Sequence, residues 1–423
     1  MVYVDRIWEP QDTFGVSRKD RAGGRYRAFV PNELDPALTP LSPAAERAAQ
    51  DALQALTRAD ERVGTNGRFL NHLLIRSESI SSSWIEGNRV TPKRLAIAEL
   101  LRQGKPVALD VVANVRATED AIAALADHTR PIHVADIEAL QHTIEPGLTR
   151  GIRTEQNWVG GPGYSPLRAD FIPPPETEVG RLIGNLAEFV TATEGNPVVR
   201  AAIAHAQFET IHPFVDGNGR TGRALIHTVL KRADALRNIL IPISTVFAGA
   251  KNAYIDGLTE YRAERVDEWV IAFSQAAELA AANAVRLADD VQRLDAETLE
   301  QLIEWRTQQQ LSPARPRRDA VALRILGRLA TEPVVTTDSV AAAHGVSNVA
   351  AHKALTQLCD AGVLSRNTDH KGRVVCWSAD RHLALVALTE RSNRVGGADT
   401  AGRTPPRGPD APDRSVVGNL RGD

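Results

Sequence analysis

The chain has 423 residues, a formal net charge of −2 and two cysteines, Cys359 and Cys376. Its length exceeds one ordinary hydrophobic core and calls for two or three domains, and its near-neutral charge gives no global pull toward nucleic acid or an acidic membrane. The cysteines are too few for a disulfide framework, the N-terminus lacks a secretory apolar run, and no stretch approaches the ~18 apolar residues of a membrane span, so a soluble cytoplasmic protein is expected.

Residues 1 to about 40 read as loop, with several turn formers and few periodic apolar positions. From Ser42 a helical pattern begins, with Ala45, Ala48, Ala49, Leu53 and Leu56 at spacings of three and four. Phe69 to Ile80 reads as a second helix that runs into SSSWIEGN and stops at Gly87. Thr91-Pro92 opens the next, a cap followed by proline at the first helical position. Between Arg153 and Pro175, NWVGG and DFIPPP flank a Gly- and Pro-rich turn and predict a hairpin inside a helical domain. Glu178 to Thr191 is an amphipathic helix, Asn196-Pro197 caps another, and residues 268 to 310 read as a helical connector. After Arg317, three helices (AVALRILGRLA, TTDSVAAAHG, SNVAAHKALTQLCDAG) precede two strands around a polar turn. That order resembles a winged helix-turn-helix. From about Arg394 the tail lacks apolar periodicity and is expected to be disordered.

His212 to Arg223 (HPFVDGNGRTGR) carries the chemistry. Gly217 and Gly219 permit left-handed backbone and close ligand approach. Amides of such a turn, just ahead of a helix, converge on an anion. Arg220 and Arg223 lie one helical turn apart and can both reach phosphate oxygens. Asp216 is a hard oxygen ligand suited to Mg²⁺ held jointly with phosphates. His212 stands beside this cradle with the chemistry of a general base.

These residues resemble the Fic family signature HxFx(D/E)GN(G/K)RxxR, matching it at His212, Phe214, Asp216, Gly217, Asn218, Gly219, Arg220 and Arg223. AHAQFETIHPF and IPPP extend the likeness over roughly residues 130 to 280. The resemblance implies a mostly α fold: a Fic-type helical core with a small β-hairpin flap, an N-terminal helical domain and a C-terminal winged helix-turn-helix. The expected division is 1–125 for the N-terminal domain, 126–280 for the catalytic domain, 281–316 for the connector, 317–393 for the winged-helix-like block and 394–423 for the tail. The implied activity is protein adenylylation, the transfer of AMP from ATP to a Ser, Thr or Tyr hydroxyl. His212 would be the base, Asp216 would hold Mg²⁺, and Asn218 with the turn amides would take the α-phosphate. Arg220 and Arg223 would neutralise the β- and γ-phosphates. The nucleotide-binding set also takes in Thr210, Ile211, Gly217, Gly219, Thr221 and Gly222. Glycine at 219 favours adenylylation over the phosphorylation of the related Doc toxins, which carry lysine there.

Ser82 and Glu86-Gly87 resemble the (S/T)xxxE(G/N) motif of family members that carry their inhibitor upstream. The expectation is a bidentate Glu86–Arg223 pair that occupies the γ-phosphate position; the same glutamate could activate water for AMP removal. Residues 159–172 resemble the flap that aligns a target protein by strand addition. The adenine-contacting Asn of the family is replaced by Ala250, beside Lys251, Asn252, Tyr254 and Ile255, which leaves base selectivity open. The alternative to an adenylyltransferase is a nucleotide-sensing DNA-binding regulator. There Ser347, Asn348, His352, Lys353 and Thr356 would face DNA with Arg366, Lys371 and Arg373 on the wing. With one basic residue on that helix, DNA binding ranks below homodimerisation or target presentation.

Overall fold

The computed structural model describes residues 2–10, 22–64, 68–87, 89–102, 106–161, 165–368 and 373–385. The tail from residue 394, Lys371 and residues 162–164 of the hairpin lie outside the described residues.

The first 40 residues correct the loop expectation. β1 (Val2–Trp8) and β2 (Gly24–Val30) pair antiparallel, with Val2 opposite Val30 and Trp8 opposite Gly24. In β2, Arg25 and Arg27 point outward while Tyr26 and Ala28 are buried, the alternation that a strand with one covered face requires.

The helices follow their punctuation. α1 (Pro43–Gly64) lays Ala45, Ala49, Ala52, Leu56, Ala59 and Val63 along one buried stripe. α2 (Arg68–Ile85) runs through the serine run and ends just before Gly87, which has a φ of 92°. The Thr91 hydroxyl accepts from the Arg94 amide at the start of α3 (Pro92–Leu101). α4 (Pro106–Leu125) and α5 (Val134–Ile144) complete the first half. α6 (Glu176–Thr191) precedes α7 (Pro197–Ile211), whose cap is the Asn196 side chain accepting from Val198 N at 2.9 Å. α8 (Asn218–Arg232), α9 (Ile243–Gly249) and α10 (Lys251–Arg262) lead into α11 (Val266–Gln308).

One hydrophobic core joins α1, α2, α6, α7 and α11. It does not divide at the expected 125/126 boundary, and the 280/281 boundary falls inside α11, a single helix of 43 residues and about 64 Å in length. Helix–helix burial on both sides of each position holds it together: α1 packs along its first half, and Leu302 enters a second core further on.

That second core belongs to α12 (Val321–Leu326), β3 (Val334–Val335), α13 (Thr337–His344), α14 (Asn348–Asp360), β4 (Ser365–Thr368) and β5 (Val375–Ser378). The sheet order is β3-β5-β4, antiparallel throughout. This block sits on α3. Ala96 packs with Val334, Cys376 and Leu383, and Lys93 donates to Asn367 at 3.2 Å and to Asp380 at 2.9 Å. No helix among the described residues is long and apolar enough to cross a membrane.

Candidate active site

α7 ends at Ile211, and His212 takes the left-handed conformation (φ 48°, ψ 61°) that stops it, with its amide still donating to Phe208 O at 2.8 Å. Five residues later Gly217 (φ 78°) turns the chain into α8. A side chain at Gly217 would be strained by that φ and would bring its Cβ within 2.9 Å of Glu145 Cγ. The buried Asn218 amide holds the loop from both sides, accepting from Phe214 N at 2.9 Å and donating to Phe214 O at 2.8 Å. Asn218 is thereby spent on shaping the loop, and the anion-facing groups that remain there are the first-turn amides of α8, which have no intrahelical acceptor.

A residue that the sequence did not single out fixes the other side. Arg153 is buried and donates to His212 O at 2.9 Å, Glu155 O at 2.9 Å and Pro174 O at 2.6 Å, while its own amide donates to Pro213 O. Burial lowers its pKa to about 10. It ties the base loop to both arms of the flap. Nδ2 of Asn157 lies 2.9 Å from Nδ1 of His212. The His212 ring is partly buried, and its pKa is lowered to about 3, first by desolvation and then by Arg153. The imidazole is therefore neutral at physiological pH, the form that a base needs.

The two arginines are already engaged. Arg223, with 2% of its side chain exposed, donates from Nε to Ser82 Oγ at 2.7 Å and from Nη2 to Ser82 O at 3.0 Å and Glu86 Oε1 at 2.7 Å. Arg220 donates from Nε to Glu86 Oε2 at 2.8 Å and from Nη2 to Glu145. The expected bidentate Glu86–Arg223 pair is thus corrected to a bridge, one carboxylate oxygen for each arginine. The cause is Ser82, which takes the Nε edge of Arg223 and leaves one nitrogen for Glu86. Burial opposes the charge on Glu86, but Arg220 and Arg223 outweigh it and hold the carboxyl below its ordinary range. Lys251 donates to Ile85 O at the end of α2, a cation on a helix C-terminus. Gly219 makes room for this arrangement: a Cβ there would come within 2.6 Å of Glu86 Oε1 and 2.8 Å of Arg223 Nη1.

Asp216 is exposed; its Oδ1 accepts from Gly217 N at 2.6 Å and its carbonyl accepts from Gln141 Nε2 at 3.1 Å. No group of three or more His, Cys, Asp or Glu able to hold a metal is present among the described residues. A lone, open carboxylate beside an anion cradle fits Mg²⁺ that draws its other ligands from phosphates and water. Thr210 and Ile211 belong to the expected nucleotide-binding set. Both are buried on α7, the Thr210 hydroxyl donating to Ala206 O and Ile211 lying in the core. Thr221 is also buried. A Cβ on Gly222 would lie 2.7 Å from Glu209 Oε1, so this glycine sets the approach of α7 to α8.

Residues 126–230 match the Fic/DOC family. The chain carries a Fic domain. Protein adenylyltransferase Fic of Drosophila mojavensis is 39% identical over 84 residues, 19% of this chain and 15% of that protein. Protein adenylyltransferase fic-1 of Caenorhabditis elegans is 33% identical over 94 residues, 22% of this chain and 17% of that protein. The chain thus spans about a sixth of the length of these relatives. The crystal structure of a Fic family protein from Desulfovibrio desulfuricans G20 aligns with a TM-score of 0.50 at 20% identity, covering 82% of this chain and 98% of that one, which shows a shared fold.

Beside the Fic loop, the expected hairpin shows, among the described residues, one antiparallel bridge between Val159 and Phe171, with a 3₁₀ turn at Pro166–Arg168. The N-terminal ribbon extends it, Phe29 N donating to Ile172 O at 3.0 Å. Arg262 stacks over the Phe171 ring at 4.2 Å. In the region expected to hold a base, Tyr254 is buried with its hydroxyl 2.8 Å from His205 Nε2, while Asn252 and Ile255 are exposed. Glu209 faces the same interior. Its pKa is pushed up to about 7, chiefly by burial, with Arg223 opposing and Glu86 adding. In the C-terminal block, Ser347 caps α14, Asn348 donates to Asp338 at 3.1 Å, and His352, Lys353, Thr356, Arg366 and Arg373 are exposed.

Proposed function

We propose that the chain is a protein adenylyltransferase that moves AMP from ATP to a Ser, Thr or Tyr hydroxyl of a target protein or of itself, restrained by Glu86. The observation that carries this is a neutral His212 beside a loop of first-turn amides and two convergent arginines, with a glutamate seated where anionic phosphate oxygens would go.

In this reading His212 takes the proton of the incoming hydroxyl. The oxygen bonds to the α-phosphorus as the bond to pyrophosphate breaks. The amides at the start of α8 receive the α-phosphate oxygens, and Arg220 and Arg223 balance the charge that develops toward the leaving group. Mg²⁺ bound through Asp216 would supply further neutralisation of that charge. ATP reaches this pose only after Glu86 gives up both arginines. The target strand adds at the flap, 159–172, beside the exposed Val159.

The names of the relatives and the Fic domain itself support transfer of AMP, and glycine rather than lysine at 219 favours adenylylation over phosphorylation. The test is incubation of the Glu86→Gly protein with α- or γ-labelled ATP and candidate targets. α-Label on protein is the expected result. γ-Label would mean a kinase, and no label with a salt-dependent shift of duplex DNA would mean a nucleotide-sensing regulator.

A further inference from the structure

Nδ2 of Asn157 has three acceptors around it: His212 Nδ1 at 2.9 Å, His212 O at 3.2 Å and Phe214 O at 3.1 Å. The two carbonyls identify that side of the amide as the NH₂, since an oxygen placed there would face two acceptors. Nδ1 of His212 must then accept, and the neutral ring carries its proton on Nε2. That is the wrong tautomer for a base working through Nε2, the nitrogen that Asn157 leaves open. The other half of the amide agrees. Asn157 Oδ1 is buried with no hydrogen-bond partner among the described residues, an acceptor beside a ring that offers it no proton.

Resting on the reading of His212 as the base, we infer that Asn157 is a positioning residue that sets the tautomer of His212, holding the resting base with its proton on Nε2 and arming it when the amide turns over. Once the amide has turned, the ring loses its Nε2 proton to solvent water and takes one from it on Nδ1, so that Oδ1 accepts from Nδ1–H and Nε2 is free. The target hydroxyl then gives its proton to Nε2, its oxygen bonds to the α-phosphorus, and the bond to pyrophosphate breaks. The imidazolium so formed keeps its Nδ1–H on Asn157 Oδ1. Turning the amide gives up both carbonyl contacts, which is why the resting state favours the unarmed ring. This restraint acts on the base and is independent of Glu86, which acts on the phosphate site.

The full chain, labelled with ¹⁵N at histidine, tests this by nuclear magnetic resonance, with His212→Gln to assign the resonance. Near neutral pH the wild type is expected to show a neutral His212 protonated on Nε2. Asn157→Asp supplies an acceptor on both sides of the group, so the ring is expected to move to the Nδ1–H form. In a Glu86→Gly background, that variant should transfer AMP about threefold faster or more, where loss of the Oδ1 acceptor in Asn157→Leu should slow transfer roughly tenfold or more. The charged groups that face the ring from neighbouring elements are Arg153, Glu86 and Arg262. Arg153 and Arg262 are common to all variants, and each comparison is made within one Glu86 background. A change of tautomer or pH profile therefore belongs to position 157.

An Nδ1–H ring in the wild type, or an unchanged tautomer in Asn157→Asp, overturns the inference. Should Asn157→Asp fail to fold, Asn157→Leu answers alone, because AMP transfer as fast as in the Glu86→Gly protein refutes it. Full activity in His212→Ala would instead refute the base assignment and leave the tautomer result standing.

Discussion

Replacing Glu86 by glycine removes the carboxylate that bridges Arg220 and Arg223. Breaking a buried pair by deleting one partner costs about 3–5 kcal/mol when the other is left alone. Here Arg223 keeps both contacts to Ser82, Arg220 keeps Glu145, and the Glu86 side chain is 23% exposed. The expected loss is therefore about 1–3 kcal/mol, the cost of leaving buried donors without one partner. On the proposed reading the same quantity opposes ATP in the wild type, since the phosphates would have to displace the carboxylate before reaching the arginines. At 1.4 kcal/mol per decade, Glu86→Gly should bind ATP roughly 5- to 150-fold more tightly. Calorimetric titration of ATP into both proteins, beside a thermal melt of each without nucleotide, measures the two sides of one exchange. The variant should melt lower alone and gain more from saturating ATP. An unchanged ATP affinity with an unchanged melting temperature would refute the bridge as an energetic restraint. Glu86→Gln guards against the added flexibility of glycine and should give the same sign.

The other expectations concern single groups. His212→Ala should lower AMP transfer by about 10²- to 10⁴-fold while ATP still binds in titration, because the arginines and amides are untouched. Asp216→Ala should lose activity that raised Mg²⁺ does not restore, and full recovery at high magnesium would make the aspartate structural. Glu209 has its folded pKa raised to about 7 against an ordinary 4.5. Its contribution to stability is fully present below the ordinary value and is lost as pH rises through about 7. Glu209→Gln should flatten that decline and stabilise the fold above pH 7 by at most about 3 kcal/mol at 1.36 kcal/mol per unit, read as a higher melting temperature. A variant that melts like wild type at pH 8 would count against the buried carboxyl.

The helical half of the molecule was legible because its signals are local. Asn196-Pro197 and Thr91-Pro92 are read within four residues, and each caps its helix as expected. The anion loop was legible for the same reason, since Asp216 to Arg223 lie on one turn and one helix. What escaped depends on residues distant in sequence. Arg153 gains its meaning from carbonyls at 174 and 212, and Glu145 from Arg220, which no spacing rule connects. The burial of Thr210 and Ile211 on α7 was likewise not legible from their place beside His212. The β1–β2 ribbon was missed because a two-stranded ribbon is too weak a pattern to read alone; it is held by the flap through Phe29 and by the Trp8–Trp158 contact, with ring centroids 5.4 Å apart.

His212 occupies a left-handed backbone position that glycine would adopt freely. A non-glycine residue there carries a penalty of roughly 1–3 kcal/mol. Selection for folding alone would favour glycine at 212, and on the proposed reading selection for chemistry would keep histidine. A laboratory search for thermally hardier versions of this chain, run without an activity filter, would therefore drift toward His212→Gly and collect inert proteins. The left-handed residue that ends α7 is where durability and turnover pull the sequence in opposite directions.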